Sequence, residues 1–142
     1  MDSFQEYKDD FVLFLEAGFI AVNQADEQSA NKLFAAAKLL EPTNVLPIVG
    51  EGYLYLHLLH VDKAAQKFEE VLKIEPENEM AKAFLGITYT LTPDHVTQGE
   101  QILSQIQKSD DKEIKKLSET ALDFVDKLIK KDASPAQIKK EK

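Results

Sequence analysis

Along the chain, apolar residues return every three or four positions in seven segments separated by short polar breaks, the spacing of one face of an α-helix. The pattern predicts helices over 3–23, 26–41, 44–60, 62–74, 78–91, 93–107 and 111–131. The ends of these segments carry capping chemistry. Ser3 with Glu6 forms a capping box, Asn44 and Asn78 stand where they can cap the helices that follow Pro42 and Pro76, Thr92 precedes Pro93 at a first helical position, and Asp110 with Glu113 opens the last segment. With only five Gly and five Pro and abundant Leu, Ala, Lys and Glu, the predicted fold class is all-α.

The segments repeat. "FAAAKLLEPTN" at 34–44 and "FEEVLKIEPEN" at 68–78 share a Phe, a Pro and an Asn, each displaced by 34 positions. Gly18, Gly52 and Gly86 keep the same spacing, each inside an apolar helical run where a lone Gly costs about 1 kcal/mol against Ala. Close approach gives that cost a purpose: a Gly in one helix admits a side chain from the next. The neighbours expected there are Ala30 and Phe34 in the first unit and Ala64 and Phe68 in the second. A third unit begins with Leu85, Gly86 and Tyr89, then drifts. It needs one extra residue to bring Gly99, Leu103 and Ile106 into the second-helix positions, and no Pro closes it. Glu51 and Lys82 stand where an apolar group is expected, so either the helix is rotated there or the chains snorkel.

These residues resemble the tetratricopeptide repeat, a pair of helices with small residues at their crossing, an aromatic four residues on and a closing Pro. Residues 11–44 match with Phe14, Gly18, Ala30, Phe34, Ala37 and Pro42; residues 45–78 match with Gly52, Tyr55, Ala64, Phe68 and Pro76; residues 79–111 form a degenerate third repeat. The resemblance implies a right-handed superhelix of three helix pairs within one domain, 1–131. The segment 111–131 has Ile114, Leu117, Ala121, Phe124, Val125 and Leu128 at helical spacing, with Lys112, Lys115, Lys116, Glu119 and Asp123 on other faces, and is expected to cap the stack. Residues 132–142 are expected to be a disordered basic tail.

In such a stack the first helix of each pair lines the concave side. The positions expected there are Val12, Leu15, Phe19 and Val22, then Leu46, Val49, Tyr53 and Leu56, then Met80, Ala83, Ile87 and Thr90. They are almost wholly apolar, so a hydrophobic guest is expected, bound as one amphipathic helix. The competing reading, that these side chains pack against their neighbours in a short superhelix, stays open. Repeat proteins that resemble the Hsp70/Hsp90 co-chaperones clamp a terminal carboxylate with Lys, Asn and Arg, and no matching position here is Lys or Arg.

Charge narrows the partner. The formal net charge is −8, and all 17 basic residues are Lys. Without Arg and with an acidic field, nucleic-acid binding is not expected. From Lys127 onward the chain carries a net +4, which leaves −12 on the part before it. The absence of Cys removes disulfides and thiolate chemistry and fits a reducing compartment. The acidic start, "MDSFQEYKDD", is unlike a secretory or transit signal, and the longest uncharged apolar stretch, at 52–61, is about half of a ~20-residue membrane span, so a cytoplasmic protein without membrane insertion is expected.

Candidate chemistry is sparse. His57 and His60 share a helix face, but no Cys or nearby carboxylate completes a metal set. The acidic pairs Asp9–Asp10, Glu69–Glu70 and Asp110–Asp111 are adjacent, so on a helix they diverge by about 100°. No phosphate loop or activated nucleophile is present. No enzyme activity, cofactor or metal is expected.

A small acidic chain of three repeats with a capping helix and an apolar groove resembles the cytoplasmic chaperones of bacterial type III secretion, the needle-subunit type more than the longer translocator type. The resemblance implies that the chain holds a small secreted helical protein soluble and unpolymerised by covering its amphipathic helix, with a second small co-chaperone as a further partner. The alternative is a general interaction scaffold that docks a peptide motif of a cytosolic complex.

Overall fold

The structure, a computed structural model, describes residues 3–130, with side chains from Asp9 onward. The Ser3/Glu6 capping pair, the last position of the predicted capping helix and the tail 132–142 lie outside what is described. Every regular element among the described residues is helical. In chain order they are α1 (Ser3–Asn23), α2 (Glu27–Leu40), α3 (Leu46–His57), α4 (Val61–Ile74), α5 (Glu79–Thr90), a 3-10 turn (Pro93–His95), α6 (Val96–Ile106) and α7 (Lys112–Phe124). A π-helical turn, Val125–Ile129, follows α7. Among the described residues no helix is long and apolar enough to cross a membrane. The chain packs as two compact units, one through Ala81 and one from Lys82.

In the first unit the two helix pairs are built by the same local chemistry, repeated at the period of the sequence. Ala25 and Leu59 both adopt φ +60°. At the first of these turns the Asp26 N–H donates to Ala21 O (2.8 Å) and the Ala25 N–H to Val22 O (2.9 Å). At the second, the His60 N–H donates to Tyr55 O (2.8 Å) and the Leu59 N–H to Leu56 O (3.0 Å). This is the Schellman closure, in which one left-handed residue satisfies the carbonyls left over at a helix end. Asp26 then caps α2 by accepting from the Ser29 N–H at 3.1 Å. Hydrogen bonds from the Ser29 side chain and backbone hold the Asp26 carboxyl below its ordinary range.

The links between pairs repeat as well. Asn44 Oδ1 accepts from the Leu46 N–H (2.9 Å) while its Nδ2 donates to Glu41 Oε1 (3.1 Å). Asn78 Oδ1 accepts from the Ala81 N–H (2.9 Å) while its Nδ2 donates to Glu75 Oε1 (3.1 Å). Each Asn therefore joins the helix behind it to the helix ahead.

Phe34 is the centre of the first unit. It is fully buried, and its ring lies on the backbone of two helices. A Cβ added to Gly18 of α1 would stand 2.5 Å from Phe34 Cε1, and one added to Gly50 of α3 would strike the same ring. Phe68 of α4 lies on Gly52 of α3 in the same manner, at 2.6 Å. Ala30, Ala37 and Ala64 are fully buried beside these rings. Pro42 and Pro76 are exposed in the links, where they stop α2 and α4. Glu51 stands at a position that repeats as Ala17 and Leu85, and Lys38 (2.6 Å) and Lys67 (3.4 Å) reach it from α2 and α4. Ion pairing from both sides accounts for a carboxylate that is only 17% exposed.

The second unit departs from this plan at its first turn. The position that is left-handed in the earlier turns is Pro93 here, and the proline ring confines φ to negative values. The turn is rebuilt as Pro93–His95, and α6 begins only at Val96. Thr92 does not cap that turn. Its hydroxyl donates backwards to Thr88 O at 3.1 Å. The cap of α7 also differs from the expectation by one residue. Asp111, not Asp110, accepts from the Glu113 and Ile114 N–H groups (2.9 and 3.3 Å), because α7 starts at Lys112 and only Asp111 is within reach of those donors.

The core of this unit joins Ala83, Leu103, Ile106 and Ile114. Gly86 and Gly99 bring α5 and α6 backbone to backbone: a Cβ on Gly99 would lie 2.6 Å from the Gly86 carbonyl oxygen. α7 covers the α6 side, and the buried Ser118 hydroxyl donates to Leu103 O, which fixes its register. Lys130 reaches Glu100 on α6 at 2.8 Å, and that carboxylate holds the Lys130 ammonium above its usual range.

Two stability outcomes follow. Leu59 is 72% exposed, so Leu59→Gly removes left-handed strain with little loss of packing and should raise the urea midpoint, by a few tenths to about 1 kcal/mol in stability. Gly99→Ala gains helix propensity yet pushes a methyl group into a backbone oxygen that cannot swing away, and should lower stability by about 1–3 kcal/mol. A neutral Gly99→Ala variant would mean that α5 and α6 do not cross there.

Candidate partner-binding surfaces

The residues expected to line one apolar face divide into three groups. Val22, Val49 and Ala83 are fully buried and belong to the core rather than to any accessible groove. Val22 packs with Ala21, Ala30, Phe34 and Leu54, and Ala83 with Leu103, Ile106 and Ile114. Gly18 and Gly50 admit the Phe34 ring against two helix backbones, and Val22 lies in the core cluster around that ring. Leu15, Phe19, Leu46, Tyr53, Leu56 and Ile87 are half-buried. Val12 and Met80 are exposed.

Phe19 and Tyr53 form the aromatic part of the first unit. Phe19 stands edge-on to Phe34 with ring centroids 5.4 Å apart, and tilted to Tyr53 at 5.7 Å. The Tyr53 hydroxyl donates to Asn23 Oδ1 at 2.7 Å, and His57 packs edge-on against its ring at 5.6 Å. One side of this pair is therefore core and the other is accessible. His60 and His95 lie tilted against Tyr55 and Tyr89, with ring centroids 6.3 and 5.3 Å apart. Among the described residues no three His, Asp or Glu converge as a metal site would require.

The second unit holds a cleft of about 370 Å³ between the end of α5 and α7. Ile87, Thr90 and Leu91 line one wall, and Leu117, Thr120, Ala121 and Phe124 the other. No ionisable side chain lines it, and its surface is almost entirely apolar. The Thr90 hydroxyl is committed to Ile87 O at 2.6 Å, which leaves it as a small apolar wall element. Phe124 and Leu91, 46% and 38% exposed, stand at the mouth.

Of these lining residues, the repeat register places Ile87 and Thr90 on the expected concave side, whereas it gives Leu117, Ala121 and Phe124 only the task of covering the stack. Their place in the cleft wall follows from the spacing of α7. At about 100° per residue, Ile114, Ser118 and Val125 share one direction, the buried one. Leu117, Phe124 and Leu128 lie on a neighbouring stripe, of which Phe124 and Leu128 remain exposed. Together the two stripes span about 120°, and the exposed edge of that face is the edge that lines the cleft.

Compared with known proteins, the chain matches no protein-family model, no curated protein and no solved structure.

Phe19 contacts both Phe34 and Tyr53, so Phe19→Ala should cost about 2 kcal/mol or more, below the ~3–5 kcal/mol of a fully buried aromatic. Thermal unfolding checks this; an unchanged melting temperature would show that Phe19 belongs to the surface alone.

Proposed function

We propose that the chain is a tetratricopeptide-type repeat protein whose work is binding, and that it takes an amphipathic helix of a partner against its apolar surfaces. The observation that carries this reading is the α5/α7 cleft, open to solvent, large enough for one or two big aliphatic side chains and free of charge. An apolar recess of this kind favours desolvation of an apolar anchor and disfavours a charged one. The half-buried Phe19–Tyr53 pair offers a second apolar contact area. With no Lys or Arg in the cleft wall, capture of a terminal carboxylate is not the mode.

In its most specific form the proposal is a cytoplasmic secretion chaperone of the type III needle-subunit kind, which covers the self-assembling helix of a small export substrate until it is handed on. Chemistry of this sort needs no catalytic group: the chaperone competes with self-association by burying the same apolar face first.

The test uses the full chain and Phe124→Asp, which places a charge at the cleft mouth on an already exposed position. The wild type should recover a small helical protein from the native cell, the variant should lose it with its helicity unchanged, and the recovered partner should aggregate or polymerise when released. A partner that stays soluble alone would replace the chaperone with an interaction scaffold. Equal recovery by both baits would remove the cleft from the binding surface.

A further inference from the structure

Over α1 the sequence carries Glu6, Asp9, Asp10 and Glu16 against one cation, Lys8. Phe11, Gly18, Ala21 and Val22 are buried toward the rest of the first unit. At about 100° per residue, Asp9, Val12, Leu13, Glu16 and Ile20 fall within one third of the helix circumference, on the side away from those buried groups. Val12, Leu13 and Ile20 are 50%, 60% and 56% exposed, and Asp9 and Glu16 are exposed between them. A helix apolar on nearly all sides is normally covered on all sides. α1 is covered on one.

We infer that the outer face of α1 is a docking surface for a partner helix whose contacting face interleaves Lys or Arg with apolar residues. The alternation dictates the occupant. A purely apolar helix would cover Val12, Leu13 and Ile20 only by desolvating Asp9 and Glu16 without a counter-charge, which is unfavourable. A second copy of α1 would set four carboxylates and a single Lys, Lys8, against the same set, and the excess of like charge opposes that pairing. A cation every third or fourth residue on the partner satisfies the carboxylates while its apolar residues meet Val12, Leu13 and Ile20. The wider field agrees: residues 1–81 hold fifteen carboxylates against six lysines, a net −9, while the rest of the chain is net +1. A cationic helix is therefore drawn to this unit before contact is made.

Three synthetic three-heptad helices serve as probes, titrated against the full chain by fluorescence anisotropy: a Leu stripe interleaved with Lys, the same stripe with Glu, and a scramble of the Lys peptide. The Lys stripe should bind at least about tenfold more tightly than either other peptide and weaken with added salt. Leu13→Asn with Ile20→Asn should abolish that preference without moving the melting temperature, since both side chains are already more than half exposed. Phe124→Asp should leave it unchanged, which separates this surface from the α5/α7 cleft. The inference is overturned if the scrambled peptide binds as well as the stripe, if no peptide binds, or if the double variant retains binding. It is also overturned if the wild type sediments as a dimer that the double variant dissolves, because a second copy would then be the occupant.

Discussion

One aromatic ring organises the first unit. Phe34 leaves α2 and lies across Gly18 of α1 and Gly50 of α3, so a single side chain sets how closely three helices approach. A ring in that position needs flat backbone on both sides, and only glycine provides it without a displaced helix. The rest is arranged around that contact: Ala30 and Ala37 are small beside it, Phe19 meets its edge, and Tyr53 meets Phe19. The accessible aromatic surface of Phe19 and Tyr53 is thus an outgrowth of the core, and any change there acts on folding as well as on the surface.

The second unit shows what happens when the same plan loses one degree of backbone freedom. Ala25 and Leu59 end α1 and α3 in the left-handed region, and the next position in the series is Pro93. Proline cannot follow, so the turn lengthens, α6 starts late and the crossing chemistry changes from Phe on Gly to Leu103 on Gly86, with Gly99 against the Gly86 carbonyl. At Gly86 and Gly99 backbone meets backbone. α7 then packs on α6 through Ser118 and leaves the α5 side open, and that opening is the cleft.

Helix identity and ends are readable in the sequence because they depend on local chemistry: Glu41 with Asn44 and Glu75 with Asn78 at the links, a Pro behind each second helix of the first unit, and apolar residues at helical spacing. Gly18 and Gly52 are readable because they recur. Gly50, which carries as much of Phe34 as Gly18 does, is not, since its counterparts one period away on either side are Glu16 and Phe84, and periodicity highlights only what repeats. The left-handed turns are hidden for a related reason: Ala and Leu occupy them, and neither residue signals a positive φ. The groove positions are only partly legible. A repeat register says which direction Val22, Val49 and Ala83 point, but whether anything lies in front of them depends on interhelical distances that glycine and ring contacts fix.

Charge and accessible apolar surface act in opposite directions in the first unit. Leu13, Ile20, Leu39, Leu59 and Ile74 of the first unit are all more than half exposed, a composition that by itself favours association. The same unit carries a net −9, so two copies repel before their apolar groups meet. Repulsion of this kind is selective. It opposes self-association, leaves uncharged molecules unaffected and favours cationic ones, so an acidic field over an apolar surface discriminates by charge before any apolar contact is made.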